Sequence, residues 1–350
     1  MTLLHFNARS VLRRWDEISA EMLASSADVF CISESWVTDP IDFAHYALPN
    51  YATFGSCRPS KKGGGVLLCV KDCLRPAACR GATDVSPSDA YNICAVKLLG
   101  LTQPTLVVGV YRPPDACVAD TEAFFDDLSL LIDQQPPSIA VLVAGDFNIA
   151  IEGDVPPAQP RLDVPGGEGL LAQFAADYGL TQLVHQPTRG SRVIDLVLAS
   201  VALSASIVSA QPPVASSDHS SQIIYTPFLT RRVKSHRAAE KVNVTDFDTL
   251  RAMLAHVKWR EIFASSRDVD DYVAVFSSVL NEAMEKSSDV RRRRPCTRNL
   301  PRSVLKLIQR KKVMWARSQA TGDRAAYHQA RNACRAAIND FYCSYERTLI

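Results

Sequence analysis

Short unbroken apolar runs and longer apolar stripes at helical spacing divide this chain into elements. Residues 3–6 predict an opening strand that ends at Asn7. Across residues 11–25, Leu12, Trp15, Ile18 and Met22 recur every three or four positions, which predicts a helix. Residues 28–33 form a second apolar run, with Glu34 at its end, and residues 63–70 a third, in which three glycines lead into an apolar pentapeptide. Residues 93–98 and 105–111 predict paired strands about a turn at Gly100. Pro113-Pro114 ends that pair, and a helix follows over residues 121–134 on Phe124, Phe125, Leu128, Leu131 and Ile132. The run from Val141, with two β-branched valines, predicts a buried strand that stops at Gly145-Asp146-Phe147-Asn148. Residues 153–167 are rich in proline and glycine and predict an irregular loop. Residues 170–178 predict a short helix, and residues 193–199, 207–209 and 222–226 further strands.

Strands outnumber helices, and most connections are too short for repeated βαβ crossovers. The expected class is α/β (α+β), with two packed mixed β-sheets and helices outside them. Near residues 227–234 the β-like alternation stops, and the rest reads as helical. Thr245 is placed to cap a helix carrying Phe247, Leu250, Leu254 and Val257, and Asp268 to cap one carrying Val269, Tyr272, Phe276, Val279 and Ala283. After Pro301 come a helix on Val304, Leu307, Ile308 and Trp315 and a last one on Tyr327, Ala330, Cys334, Ile338, Phe341 and Tyr345. The expected division is a domain over 1–228 and an all-helical basic segment over 229–350.

The strand that closes on Gly145-Asp146-Phe147-Asn148 presents Asp146 and Asn148 on one face, because strand side chains alternate. A carboxylate beside an amide suits a water approaching a phosphorus atom. Asp146 can take the proton, and Asn148 can orient the water or hold an oxyanion. The same two residue types also make an ordinary Asx-turn, so the rest of a site must come from elsewhere. Glu34, just past a buried strand, is the best metal candidate, since Mg²⁺ favours one or two carboxylates and keeps several waters. Asn7 also ends a strand and can place its amide near a metal or a phosphate oxygen. Asp218-His219 follow a turn and precede a strand. A histidine there can donate a proton or stabilise charge, and Asp218 is a candidate second metal contact. Tyr111 offers a phenol to a phosphate or, equally, an aromatic ring to the core. Arg112 is a candidate phosphate contact. Gly63-Gly64-Gly65 is followed by a strand and no Lys-Ser/Thr, so it reads as a turn into a sheet and not as a phosphate cradle.

Gly145-Asp146-Phe147-Asn148 is similar to the GDFN signature of the endonuclease/exonuclease/phosphatase superfamily. The other blocks stand in family order: His5-Phe6-Asn7-Ala8-Arg9-Ser10, Ile32-Ser33-Glu34-Ser35-Trp36, Gly63-Gly64-Gly65-Val66, Val110-Tyr111-Arg112-Pro113-Pro114, Arg192-Val193-Ile194-Asp195-Leu196-Val197-Leu198 and Ser217-Asp218-His219-Ser220. Across about the first 225 residues the chain resembles the apurinic-type endonuclease of non-LTR (LINE-type) retrotransposon polyproteins. The resemblance implies a four-layer α/β sandwich, Mg²⁺ (or Mn²⁺) as cofactor, and no small-molecule cofactor. It implies Asp195 as the holder of the His219 ring and favours Tyr111 as a phosphate ligand. The implied reaction nicks one strand of duplex DNA and leaves a 3′-hydroxyl to prime reverse transcription, with a 5′-phosphate on the other side. It does not extend to a reverse transcriptase, and the basic helical segment corresponds to the family's connection towards one. Many superfamily members carry an acidic residue shortly after the first Asn. Here Arg9 and Ser10 follow Asn7, which leaves fewer carboxylates for metal.

Charge changes the picture of the tail. The net charge of +2 conceals 14 Lys and Arg against 24 Asp and Glu in residues 1–230, a balance of −10, and 25 against 13 in residues 231–350, a balance of +12. Residues 291–350 alone carry 15 against 3, again +12, and begin with Arg291, Arg292, Arg293 and Arg294. This is the pattern expected if the first part holds metal and the basic end touches polyanion, although a solvated basic helix with no partner would look the same. With the resemblance, the expected partner is duplex DNA, with RNA as a second candidate for the basic segment. The 47% apolar share permits a sizeable core, and no run reaches the length of a membrane span. Met1-Thr2-Leu3-Leu4-His5 lacks the basic and apolar regions of a signal peptide. The ten cysteines form no C-x-x-C pair, so reduced intracellular thiols and no zinc site are expected, and with the resemblance a nuclear location is expected. An abasic-site repair nuclease or another phosphoesterase would use the same catalytic set, but the basic tail argues against both. A catalytically idle nucleic-acid-binding fragment would have no reason to keep Glu34, Asp146, Asn148, Asp218 and His219 together.

Overall fold

In the computed structural model, which describes residues 1–79, 89–151, 165–227, 229–230, 241–266, 268–292 and 300–349, β1 (Thr2–Asn7) leads through α1 (Trp15–Ser25) into β2 (Val29–Ser33). β3 (Tyr51–Ser56), β4 (Val66–Lys71), β5 (Pro76–Ala78) and β6 (Asn92–Leu98) follow. β7 (Thr105–Tyr111), α2 (Val118–Asp133) and β8 (Ala140–Asp146) repeat the strand–helix–strand plan. α3 (Gly167–Asp177), β9 (Leu180–Gln182), β10 (Asp195–Ser200), β11 (Ile207–Gln211) and β12 (Ser221–Tyr225) complete this part.

One sheet has the order β11-β12-β1-β2-β4-β3, the other β5-β6-β7-β8-β10-β9. Each is mixed, with a parallel pair at its centre. β1 and β2 pair from Leu3–Val29 to Asn7–Ser33, and β7 and β8 from Thr105–Ala140 to Tyr111–Asp146. Parallel neighbours need a crossover, which α1 and α2 supply. Strands so placed are covered on both faces, which explains the unbroken burial of β2, β7 and β8. Leu3, Cys31, Leu68, Val107, Leu142 and Val197 fill the space between the sheets. Phe124 and Leu128 of α2 and Phe174 of α3 cover the outer face of the second sheet, around Leu106 and Val143. Ile18 and Met22 of α1 cover the outer face of the first, around Phe6 and Phe30. The result is the expected four-layer α/β sandwich. Gly145 has no alternative at its place in β8, because a Cβ there would lie 2.1 Å from the carbonyl oxygen of Val110.

The first helix begins later than its apolar spacing suggests. Arg9 and Ser10 adopt left-handed backbone, with φ of 46° and 93°. The amides of Ala8, Ser10 and Val11 donate to the carbonyls of Ser33, Glu34 and Ser35, so the chain stays beside the end of β2 and turns helical only at Trp15. β3, β5 and β9 were not expected. β5 and β9 have only three residues each, and β3 buries all its side chains only partly, which leaves no alternation to read. Of the expected loop, residues 153–164 lie outside the described residues.

The compact units differ from the expected split at 228/229. Val233–Cys296 forms one unit, and Thr297–Ile350 belongs with Met1–Arg232 in the other. In the former, β13 (Lys241–Thr245) and β14 (Ser288–Arg292) make an antiparallel ribbon around α4 (Phe247–Ala255), α5 (Trp259–Ile262) and α6 (Val269–Lys286), so the segment is not wholly helical. Asp246, one residue after the expected Thr245, caps α4, and Asp268 caps α6 as expected. In the other unit, α7 (Arg302–Thr321) and α8 (Ala325–Leu349) form a hairpin against α1. Their stripes close on Ala20 through Val304, Ile308, Cys334, Ile338 and Tyr342. Lys311 meets Glu21 at 2.5 Å with both side chains buried, and Arg335 meets Glu17 at 3.0 Å. An apolar stripe must find a covering surface, and here the back of α1 provides it. The nine cysteines among the described residues are all free, six of them buried. No helix among the described residues is long and apolar enough to cross a membrane.

Candidate active site

Both parallel pairs deliver their last residues to one end of the sandwich. Asn7 ends β1, and Glu34 lies one residue past β2. Tyr111 and Asp146 end β7 and β8 and are register partners. Asp195 opens β10 and pairs with Asp146 from the other side. His219 precedes β12 by two residues. Alternation settles which way these side chains face. Asn7 shares parity with Leu3, Tyr111 with Val107, Asp146 with Leu142 and Asp195 with Val197, all of which line the space between the sheets.

Asn7 ties the two sheets together at this end. It is fully buried, and its Nδ2 donates to Glu34 Oε1 at 2.8 Å and to Asp146 Oδ2 at 2.8 Å. Its Oδ1 accepts from the Arg9 amide at 3.0 Å, which fixes the amide so that nitrogen, not oxygen, faces the carboxylates. Glu34 Oε2 accepts from Trp36 Nε1 at 3.2 Å. The Asn148 amide donates to Asp146 Oδ1 at 3.1 Å, and Asn148 Nδ2 donates to the Arg112 carbonyl at 2.9 Å. Asp195 Oδ2 lies 2.8 Å from His219 Nδ1, with both residues buried, which leaves Nε2 as the ring nitrogen for a substrate. Glu34 and Asn148 both have positive φ, 54° and 48°. Such backbone is uncommon outside glycine and gathers at functional sites.

Burial pushes the Asp146 carboxyl well above the usual carboxylate range, and the charges of Asp195 and Glu34 add to this against the opposing pull of His219 and Asn7. Burial alone would depress His219, but the hydrogen bond and charge of Asp195 outweigh it, and the net shift is upward. The Tyr111 hydroxyl is held up by burial and by the Glu34 and Asp146 charges. A carboxyl and an imidazole that both have raised proton affinity suit proton transfer.

Other expected site residues stand apart from this group. Asp218 pairs outside it with Arg189 at 2.9 Å and Arg9 at 3.4 Å. The Arg112 guanidinium is buried and donates to Thr121 Oγ1, to the carbonyls of Pro113 and Ala116, and to those of Phe147 and Asn148. It therefore braces the loop that carries Asn148, and its donors are not turned to a phosphate. Arg291 and Arg292 lie in β14, in the other compact unit, and Arg293 and Arg294 lie outside the described residues.

Three supporting residues were not expected. Ser33 Oγ accepts from the Asp146 amide at 3.3 Å and donates to the Val110 carbonyl, linking the two sheets beneath the site. His5, which burial lowers to about 4, lies 3.0 Å from the same Ser33 Oγ through Nε2. Thr188 Oγ1 accepts from the amides of Ile194 and Asp195 and so sets the start of β10. Ser33 stands inside a block that the sequence singled out, but nothing in the sequence ties Thr188 to Asp195.

Ligand atoms of Glu34, Asp146 and His219 all lie within 4.8 Å of one another. The Glu34 and Asp146 carboxylates, side by side at this end of the sandwich, fit a hard divalent cation.

The family model described as "Endonuclease/Exonuclease/phosphatase family" matches residues 4–219. A search of curated proteins finds no match. Among solved structures, the AP endonuclease LMAP from Leishmania major is 14% identical with a TM-score of 0.51, over 66% of this chain and 88% of that one. The endonuclease domain of TRAS1, a telomere-specific non-LTR retrotransposon, is 15% identical with a TM-score of 0.49, over 64% and 96%. An AP endonuclease from Archaeoglobus fulgidus is 16% identical with a TM-score of 0.48, over 65% and 99%. The matched residues carry every member of the Glu34, Asp146 and His219 cluster, and this chain belongs to the endonuclease/exonuclease/phosphatase family.

Proposed function

We propose that the chain is a divalent-metal-dependent endonuclease that nicks one strand of duplex DNA. The observation that carries this reading is the shared hydrogen bonding of Glu34 and Asp146 by Asn7, opposite the His219–Asp195 pair. In-line hydrolysis of a phosphodiester needs a base for water, a donor for the developing charge and a cation site, and this cluster offers each. Asp146, with its raised proton affinity, takes the proton of the attacking water. Asn148, fixed through its own Nδ2, orients that water. His219, whose proton affinity Asp195 raises, stabilises charge on the phosphate oxygens. Tyr111 closes the site from β7. Glu34, with Asp146 beside it, would hold Mg²⁺ or Mn²⁺, which when bound supplies positive charge against the phosphate.

No covalent nucleophile is needed, so attack by water in line with the 3′ oxygen leaves a 3′-hydroxyl and a 5′-phosphate. The order and spacing of the motif blocks favour an enzyme of a non-LTR retrotransposon, acting in the nucleus, whose nick primes reverse transcription. The test is a nicking assay on supercoiled plasmid with Mg²⁺, with Mn²⁺ and with EDTA, beside an abasic oligonucleotide and inositol phosphates. The expected result is metal-dependent nicking of undamaged plasmid. Selective cutting at the abasic site, or phosphate release from the inositol phosphates alone, would replace this reading with a repair nuclease or a small-molecule phosphoesterase.

A further inference from the structure

Beside Glu34 lies a cleft of about 400 Å³ that the chemistry above does not use. It is lined by Ser10, Leu12, Arg13 and Arg14 from the segment between β1 and α1, and by Trp36 and Lys62. Its volume falls in the roughly 300–1,000 Å³ range of ligand sites. Trp36 is half-buried, and its indole N–H donates to Glu34 Oε2 at 3.2 Å. The Lys62 ammonium stands 5.5 Å from the centre of the same ring. Leu12 is 52% exposed. Arg14 leans towards Glu17 at 3.9 Å, whereas no carboxylate among the described residues pairs with Arg13 or Lys62. Left-handed backbone at Ser10 and Trp36, with φ of 93° and 60°, brings these walls together. Strain of this kind persists only where the surroundings enforce it.

The cleft thus joins a flat apolar wall to cations at its rim that pair with no carboxylate among the described residues, and it opens next to a carboxylate of the reaction centre. A nucleotide has the complementary form, a base with a π-face attached to a phosphate. We propose that this cleft seats a nucleotide flanking the scissile phosphate, with its base on Trp36 and Leu12 and its phosphate against Arg13 and Lys62. Because Trp36 also holds Glu34, a seated base aligns that carboxylate, and the cleft helps to set where the cut falls. The inference rests on the DNA-nicking reading and gives it a means of choosing position.

The test measures binding of a fluorescent duplex oligonucleotide by anisotropy in EDTA, for the full chain and three variants. Trp36→Ala should weaken binding about tenfold, the order of one lost base–aromatic stack. Trp36→Phe keeps a π-face without the N–H and should stay within about threefold of wild type on the same scale. The double variant Leu12→Ala with Arg13→Ala, which changes exposed residues only, should also weaken binding and decides the matter if Trp36→Ala does not fold. With a plasmid substrate, cuts by the double variant should redistribute relative to wild type. Wild-type affinity in Trp36→Ala and in the double variant would overturn the assignment. So would a loss in Trp36→Phe equal to that in Trp36→Ala, since the N–H to Glu34 would then account for it. If wild type binds DNA but never nicks it, the nuclease reading fails while the cleft is still tested by affinity. If wild type nicks and every variant binds normally, only the cleft assignment fails.

Discussion

Asn7 donates one amide nitrogen to two carboxylates that belong to different sheets, and the electrostatics of the site follow from that arrangement. Holding Asp146 near Asp195 and Glu34 in a buried place raises its proton affinity, so the ionised form costs stability. Asp146→Asn keeps the shape and removes the charge. Nicking should fall about 10²–10⁴-fold, while the metal-free protein should melt at a higher temperature than wild type. A lower melting temperature would show that Asp146 contributes to stability as an anion. His219 has the opposite charge but the same pH trend. Its folded-state value is raised above the ordinary 6.5, so the folded chain keeps the proton to higher pH than the unfolded chain. That stabilisation is fully present below pH 6.5 and is lost as the pH rises through the raised value. In a thermal denaturation series in EDTA, the advantage of wild type over His219→Ala should shrink across that window. An advantage that grows with pH would contradict the assignment. In activity, Asp195→Asn combined with His219→Ala should cost far less than the product of the single losses, because the two act as one unit.

Strand ends made most of these residues legible, since an apolar run that stops at a polar residue marks the edge of a sheet. Direction was less legible. Asp218 and His219 are neighbours in sequence, yet one faces two arginines at the surface and the other the buried cluster. Arg112 could equally face a phosphate or the protein's own carbonyls, and only the fold shows the second. Ser33 and Thr188 act on amides more than a hundred and seven residues away respectively, through a single oxygen each, and such contacts leave no pattern in a sequence.

At the scale of elements, α7 and α8 change the meaning of the basic tail. Their periodicity predicted both helices, but α1 gave no sign of being their partner. Its acidic residues Glu17 and Glu21 are both buried against Arg335 and Lys311. A buried charge deprived of its partner is costly, so Lys311→Met should destabilise the chain by about 3–5 kcal/mol. Urea denaturation would measure this, and an unchanged midpoint would mean that Glu21 finds water or another cation. Removing residues 297–350 should likewise lower the midpoint by uncovering the apolar surface around Ala20. The sandwich itself was legible because its central strands are apolar on both faces. β3, β5 and β9 were not, being either half-exposed or too short to carry a period.

For the molecule as a whole, the charge asymmetry of the sequence takes a spatial form within the unit that contains the site. Arg302, Lys306, Arg310 and Arg317 are exposed on α7 at intervals of four and seven, which places them along one side of the helix. If that stripe meets nucleic acid, replacing these four with Gln should flatten the dependence of log affinity on log salt by about 0.9 per lost contact on duplex DNA. An unchanged slope would place the contacts elsewhere. The central claim is that Asp146, Asn148 and His219 direct water onto the phosphorus in line with the departing 3′ oxygen, and the ends of the nick test it most directly. Plasmid nicked by the wild-type chain in Mg²⁺ should be extended at once by a DNA polymerase, with Asp146→Asn nicking about 10²–10⁴-fold less. If extension begins only after treatment with a phosphatase, the nick carries a 3′-phosphate and these roles are wrong.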